Sequence, residues 1–230
     1  MKPNHAEDHE AIPLVPGPYS YSEKVRGNSA PSTILSGNHI EERNRKIDGI
    51  KQRRAGRESK TLIFSSSVTR DIKKGEFNEK CKSNVIFNEF RGKKAEDIVH
   101  YMDHHLERDN PHIVVLVAGG NDLPNKDIPM SKINEVANHL IEGGIKCRDQ
   151  YGVTHILISS VLPRTNGVFQ GNRHRVNRVL RKLCMENGFV FIENDDIVLG
   201  LHGHHDGVHL NDTGSNLLGR NLCFAVNNVD

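Results

Sequence analysis

An α/β fold, a parallel sheet covered by helices on both faces, is what this sequence predicts. Three observations carry it. Five short runs rich in Ile, Val and Phe recur along the second part of the chain, amphipathic helical patterns separate them, and turn residues bound each run. The runs are TLIF (61–64), NVIFNEF (84–90), HIVVLVAG (112–119), THILISSVL (154–162) and FVFIEN (189–194).

The elements take their places in order. Residues 1–60 hold little to bury: IPLVPGPYSYSEKVRGNSAPST carries Pro, Gly and Ser without period, and EERNRKIDGIKQRRAGRESK is densely charged with a basic excess. A disordered polar and basic leader (1–60) followed by one globular domain (61–230) is therefore expected. Residues 43–60 have the composition of a phosphate-contacting or nuclear-import segment, and a solvated linker is the simpler account.

After the first strand the helical patterns are KAEDIVHYMDHHLERD (94–109), MSKINEVANHLIEGGIKCRDQYG (130–152) and NRHRVNRVLRKLCMENG (172–188). In the third, Val176, Val179, Leu180, Leu183 and Cys184 share one face and Gly188 is placed to end the helix. In the second, Gly143 and Gly144 mark a helix end near Ile145. DTGSNLLGRNLCFAV (212–226) reads as a terminal helix.

Bulk properties exclude several classes. A formal charge of +2 over 230 residues does not mark the whole chain as a nucleic-acid binder. Four scattered cysteines, Cys81, Cys147, Cys184 and Cys223, form no C-x-x-C pair and read as small apolar residues in a reducing compartment. No apolar run approaches a membrane span, and the N-terminus has no secretory apolar segment. The expectation is an intracellular protein, cytoplasmic or nuclear, with no membrane partner.

In sheets of this kind ligands bind beyond the carboxyl ends of the strands, so the residues there are the ones to inspect. They are Ser65-Ser66-Ser67, then Arg91-Gly92, then Gly119-Gly120-Asn121-Asp122, then SSVLPRTN; before the last helix comes HHDGVHLN, with Asp206 and His209. Serine is a weak nucleophile that needs a base, histidine supplies one, and a carboxylate orients it. Backbone N–H groups and an Asn amide are suitable donors to an oxyanion. Singly each feature is bland: an Asn after Gly-Gly is usually a turn residue, and a loop His is usually a surface residue. The combination in this order is specific.

From Thr61 onward the sequence resembles the SGNH (GDSL-type) hydrolases. SSSVTR matches the nucleophile block, with Ser67 as the nucleophile; FRGKK matches the second block at Gly92; Gly119-Gly120-Asn121-Asp122 matches Gly-x-Asn-Asp; Asp206-Gly207-Val208-His209-Leu210 matches Asp-x-x-His-Leu. The segments ISSVLPR, GFVFIEN and DGVHLN look closest to divergent SGNH domains of animal genomes, including those in LINE-type retrotransposons.

The resemblance implies a flavodoxin-like three-layer α/β/α fold, a Ser67–His209–Asp206 triad and an oxyanion hole of Ser67 N–H, Gly92 N–H and the Asn121 amide. It implies a serine esterase acting on a small acyl or acetyl ester without cofactor or metal. One departure stands out: Ser65-Ser66 replaces the family's Gly-Asp, and two small residues able to bond nearby backbone are expected to hold that turn. Arg70 and Arg91 are candidate substrate-binding cations at the pocket mouth. The His-rich loop (His202, His204, His205, His209) lacks a completed ligand set by spacing and is set aside as a metal site. The alternative function is a catalytically weak SGNH-like module that binds RNA through the basic leader, as part of a retroelement protein.

Overall fold

The computed structural model describes residues 58–204 and 206–229, together with 45 and 47–49. The expected leader, with its RNA contact, lies outside the described residues apart from those few positions. The first strand, β1, spans Lys60–Ser65, one residue earlier than TLIF predicts.

Strands β2 (Asn84–Glu89), β3 (Ile113–Val117), β4 (His155–Ser159) and β5 (Val190–Ile192) follow, all parallel, in the order β2-β1-β3-β4-β5. That order is the flavodoxin-like one, and it reverses direction between β1 and β3. From Lys74 onward the helices are α1 (Lys74–Lys80), α2 (Ala95–Asp109), α3 (Met130–Tyr151), α4 (Gly167–Asn187), α5 (Leu199–His202) and α6 (Asp212–Asn227).

Strand alternation splits the core into two layers. Leu62, Phe64, Val114, Leu116, Ile156 and Ile158 face the layer built with Ile98 and Met102 of α2, Leu140 of α3 and Val176 and Leu180 of α4. Ile63, Val115, Val117 and Leu157 face the other, with Phe77 of α1 and Leu218 and Leu222 of α6. Both sheet faces are dry, which is why the strands read as continuous apolar runs. Helices α3 and α4 end on Gly152 and Gly188, each at positive φ (62° and 68°) as a left-handed C-terminal residue requires.

The structure corrects one expectation here. Gly143 and Gly144 lie inside α3, which runs on to Tyr151. A Cβ at Gly143 would sit 2.6 Å from Val99 Cγ2, and one at Gly144 2.7 Å from Phe189 Cε2 and 2.9 Å from Ile156 Cγ2. The pair allows close approach, of Gly143 to the neighbouring helix α2 and of Gly144 to β4 and to Phe189 just before β5, and does not stop a helix. Of the cysteines, Cys147, Cys184 and Cys223 are buried as expected of small apolar residues, and the free Cys81 Sγ lies 2.9 Å from Cys223 Sγ. No helix among the described residues is long and apolar enough to cross a membrane.

Candidate active site

The carboxyl ends of β1 and β3 flank the point where strand order reverses, and the chain brings the singled-out residues there. A short 3-10 turn, Ser67–Thr69, follows β1 and carries Ser67 at its start. Ser65 is fully buried; its hydroxyl bonds that of Thr69 at 2.5 Å, and Thr69 Oγ1 in turn donates to Glu89 Oε1 at 3.3 Å. Ser66 is 3% exposed and is tied to β3 by its N–H to the Val117 carbonyl at 3.2 Å. The serine corner is therefore held by a side chain–side chain bond at Ser65 and a backbone–backbone bond at Ser66, where side-chain bonds to nearby backbone were expected.

The second component comes from the loop before α6. Asp206 Oδ1 accepts the backbone N–H of Val208 and of His209, each at 2.9 Å, and Asp206 Oδ2 accepts from His209 Nδ1 at 2.7 Å. These bonds, the His209 backbone N–H foremost, hold the Asp206 carboxyl well below the usual carboxylate range. A carboxylate only accepts, so Nδ1 carries the proton and the neutral ring leaves Nε2 as an acceptor. His209 Nε2 is 3.1 Å from Ser67 Oγ. Asn211 steadies this loop: its Oδ1 caps α6 by accepting Gly214 N–H at 2.9 Å, and its Nδ2 donates to the Leu201 carbonyl at 2.9 Å.

Gly92 occupies the third position of a turn closed by Lys93 N–H to the Phe90 carbonyl at 3.1 Å, with φ 71°. A left-handed third residue after one of negative φ is the type II arrangement, and glycine is the residue for it. Asn121 sits beyond β3, and its Nδ2 donates to the Lys93 carbonyl at 3.0 Å. Ala95 N–H, at the start of α2, donates to both oxygens of Asp122 at 3.0 and 3.2 Å. The Asn121-Asp122 pair therefore pins the Gly92 turn to the end of β3. Burial raises the Asp122 carboxyl above its ordinary value, and the Ala95 N–H partly offsets that.

A cavity of about 20 Å³ opens beside these groups, lined among others by Ser66, Val68, Gly120, Arg164 and Val208. That is about the space of one water, so whatever enters it is small. Neither Arg70 nor Arg91 lines it: Arg70 Nε donates to Asp71 Oδ2 at 2.8 Å, and Arg91 is exposed on the Gly92 turn. The cation that does line it is Arg164, which sequence reasoning does not single out. Its one visible signal is its place just past β4 in SSVLPRTN.

No family model and no curated protein sequence matches the chain. Solved structures do. An acetyl xylan esterase, AlAXEase, superposes with a TM-score of 0.60 at 22% identity over 73% of this chain and 99% of its own. A lipase/acylhydrolase from Enterococcus faecalis gives 0.56 at 16% identity over 74% and 95%. A GDSL-like lipase from Bacteroides thetaiotaomicron gives 0.59 at 13% identity over 78% and 96%. The chain has the α/β fold of these esterases and acylhydrolases.

Proposed function

We propose that this protein is a serine esterase of the SGNH (GDSL) type that hydrolyses small acyl esters, acetyl esters above all. The observation that carries the reading is the continuous relay from Ser67 Oγ through both nitrogens of His209 to Asp206, at 3.1 and 2.7 Å. Residues 142 positions apart meet with the spacing general-base activation needs. His209 Nε2 takes the Ser67 proton as Oγ attacks the ester carbonyl, and Asp206 stabilises the imidazolium. The oxyanion is received by the N–H groups of Ser67 and Gly92, neither of which is engaged in another hydrogen bond among the described residues, and by the Asn121 amide. Protonated His209 then releases the alcohol, and a water deprotonated by the same ring frees the acid. The cavity of about 20 Å³ is lined by chain neighbours of the nucleophile and the base, Ser66, Val68 and Val208.

The SGNH assignment is supported by the shared fold of lipases and esterases and by the motif matches at Ser67, Gly92, Asn121 and Asp206–His209. The placement near retrotransposon-borne domains rests on ISSVLPR, GFVFIEN and DGVHLN alone. An intracellular setting rests on the four free cysteines.

Hydrolysis of p-nitrophenyl acetate by wild type, Ser67→Ala and Ser66→Ala tests the function. Loss confined to Ser67→Ala, with rates falling from acetate to longer acyl esters, is the expected result. Inactivity of all three together with salt-sensitive RNA binding would favour the RNA-binding alternative, whose contacts would lie in the basic leader.

A further inference from the structure

Arg164 Nη2 donates to Asn121 Oδ1 at 2.8 Å while Asn121 Nδ2 donates to the Lys93 carbonyl at 3.0 Å. A guanidinium can only donate and a carbonyl only accept, so these two contacts fix which end of the Asn121 amide faces which way. Asn alone would not hold this orientation, because exchanging its nitrogen and oxygen barely changes its shape. With the amide locked, one Nδ2 hydrogen serves Lys93 and the other is left for a ligand.

Arg164 is itself held. Its guanidinium carbon lies 4.9 Å from the centre of the fully buried Phe169 ring, and its carbonyl accepts from Gln170 Nε2. Asn166 caps α4 right after it, accepting the N–H of Val168 and Phe169 at 3.0 and 3.1 Å. The guanidinium also packs against Gly120, where a Cβ would come 3.2 Å from Nη2. A half-buried arginine stacked on a core ring and aimed at one side-chain oxygen is built to set that side chain.

We propose that Arg164 is a positioning residue of the oxyanion hole: it holds the Asn121 amide with its nitrogen toward the developing negative charge and polarises it as a donor. The proposal rests on the esterase reading and adds a part to the site that the motif matches do not contain. Arg164 acts through Asn121 and touches no reacting atom. The effect of removing it therefore appears only while Asn121 is present.

A double-mutant cycle with p-nitrophenyl acetate tests this. Arg164→Ala should lower kcat by about 10–100-fold, less than deleting a donor outright, with KM nearly unchanged. In an Asn121→Ala background the same substitution should change kcat by less than about threefold, because its route is gone. Millimolar guanidinium chloride should restore part of the activity of Arg164→Ala and none of that of the double variant. Additive losses, or a rise in KM with kcat unchanged, would overturn the proposal in favour of independent substrate binding. A second measurement does not depend on turnover. The Asn121 side-chain amide resonances, assigned by their absence in Asn121→Ala, should move toward free-amide positions in Arg164→Ala. If they stay put, the positioning claim fails whatever the assay shows. A wild type without esterase activity but with that shift would sink only the esterase reading.

Discussion

Thr165 occupies the space in which any side chain on Gly207 would begin: a Cβ there would lie 2.2 Å from Thr165 Oγ1. The contact is reinforced by Thr165 N–H donating to the Gly207 carbonyl at 3.1 Å. Arg164 and Thr165, neighbours just past β4, thus reach both halves of the site, one through Asn121 and the other through the loop that carries Asp206 and His209.

Gly207→Ala is expected to cost activity far more than stability. Its φ of 68° already penalises a Cβ by roughly 1–2 kcal/mol, and the collision with Thr165 must push the loop away. A shift of about 1 Å between His209 and Ser67 is enough for a loss of about 10²-fold. Adding Thr165→Ala removes the hydroxyl and methyl but not the strained φ, so the double variant should recover only part of the rate. Wild-type kcat in Gly207→Ala would show that the loop tolerates the collision without moving His209.

Much of the fold is legible in the sequence because burial on both sheet faces writes itself as apolar runs, and β3, IVVLV, is the plainest case. Helix α1 is not legible: KGEFNEK has a single apolar residue, Phe77, and no period to read. The candidate site divides the same way. Ser67, Asn121, Asp206 and His209 stand out because their residue types name a chemistry and their positions name a strand end. Arg164 does not, because one arginine in a loop has no such signature; its meaning lies in two partners, Asn121 and Phe169, that are distant or inconspicuous in sequence. Gly143-Gly144 misleads for a related reason, since Val99, Phe189 and Ile156 decide its role and none is local.

The glycines inside helices yield a prediction of opposite signs. An alanine is worth about 1 kcal/mol over glycine inside a helix, and a Cβ added at Gly171 in α4 would meet nothing within 4 Å. Gly171→Ala should therefore raise Tm, by about 2–4 °C for a domain of this size. At Gly144 the added carbon meets Phe189 and Ile156 below 3.0 Å, and overpacking of about 1–3 kcal/mol exceeds the propensity gain. Gly144→Ala should lower Tm. Thermal unfolding of both variants decides it, and a rise for both would mean that the two layers separate easily.

Asp206 makes the pH dependence specific. Its folded-state carboxyl is depressed, so the stability it lends is fully present above the unfolded Asp value of about 3.9 and is lost as pH falls from there toward the folded value. The Tm difference between wild type and Asp206→Asn should accordingly stay flat from neutral pH to about pH 5 and narrow below about pH 4. Asp206 remains ionised through the ordinary carboxylate range and keeps its acceptor oxygen on His209 Nδ1 there. Asp206→Asn should lower kcat by as much as about 10⁴-fold, because an amide nitrogen facing Nδ1 favours the wrong tautomer. An Asp206→Asn variant with near-normal kcat would show that this carboxylate does not orient the base.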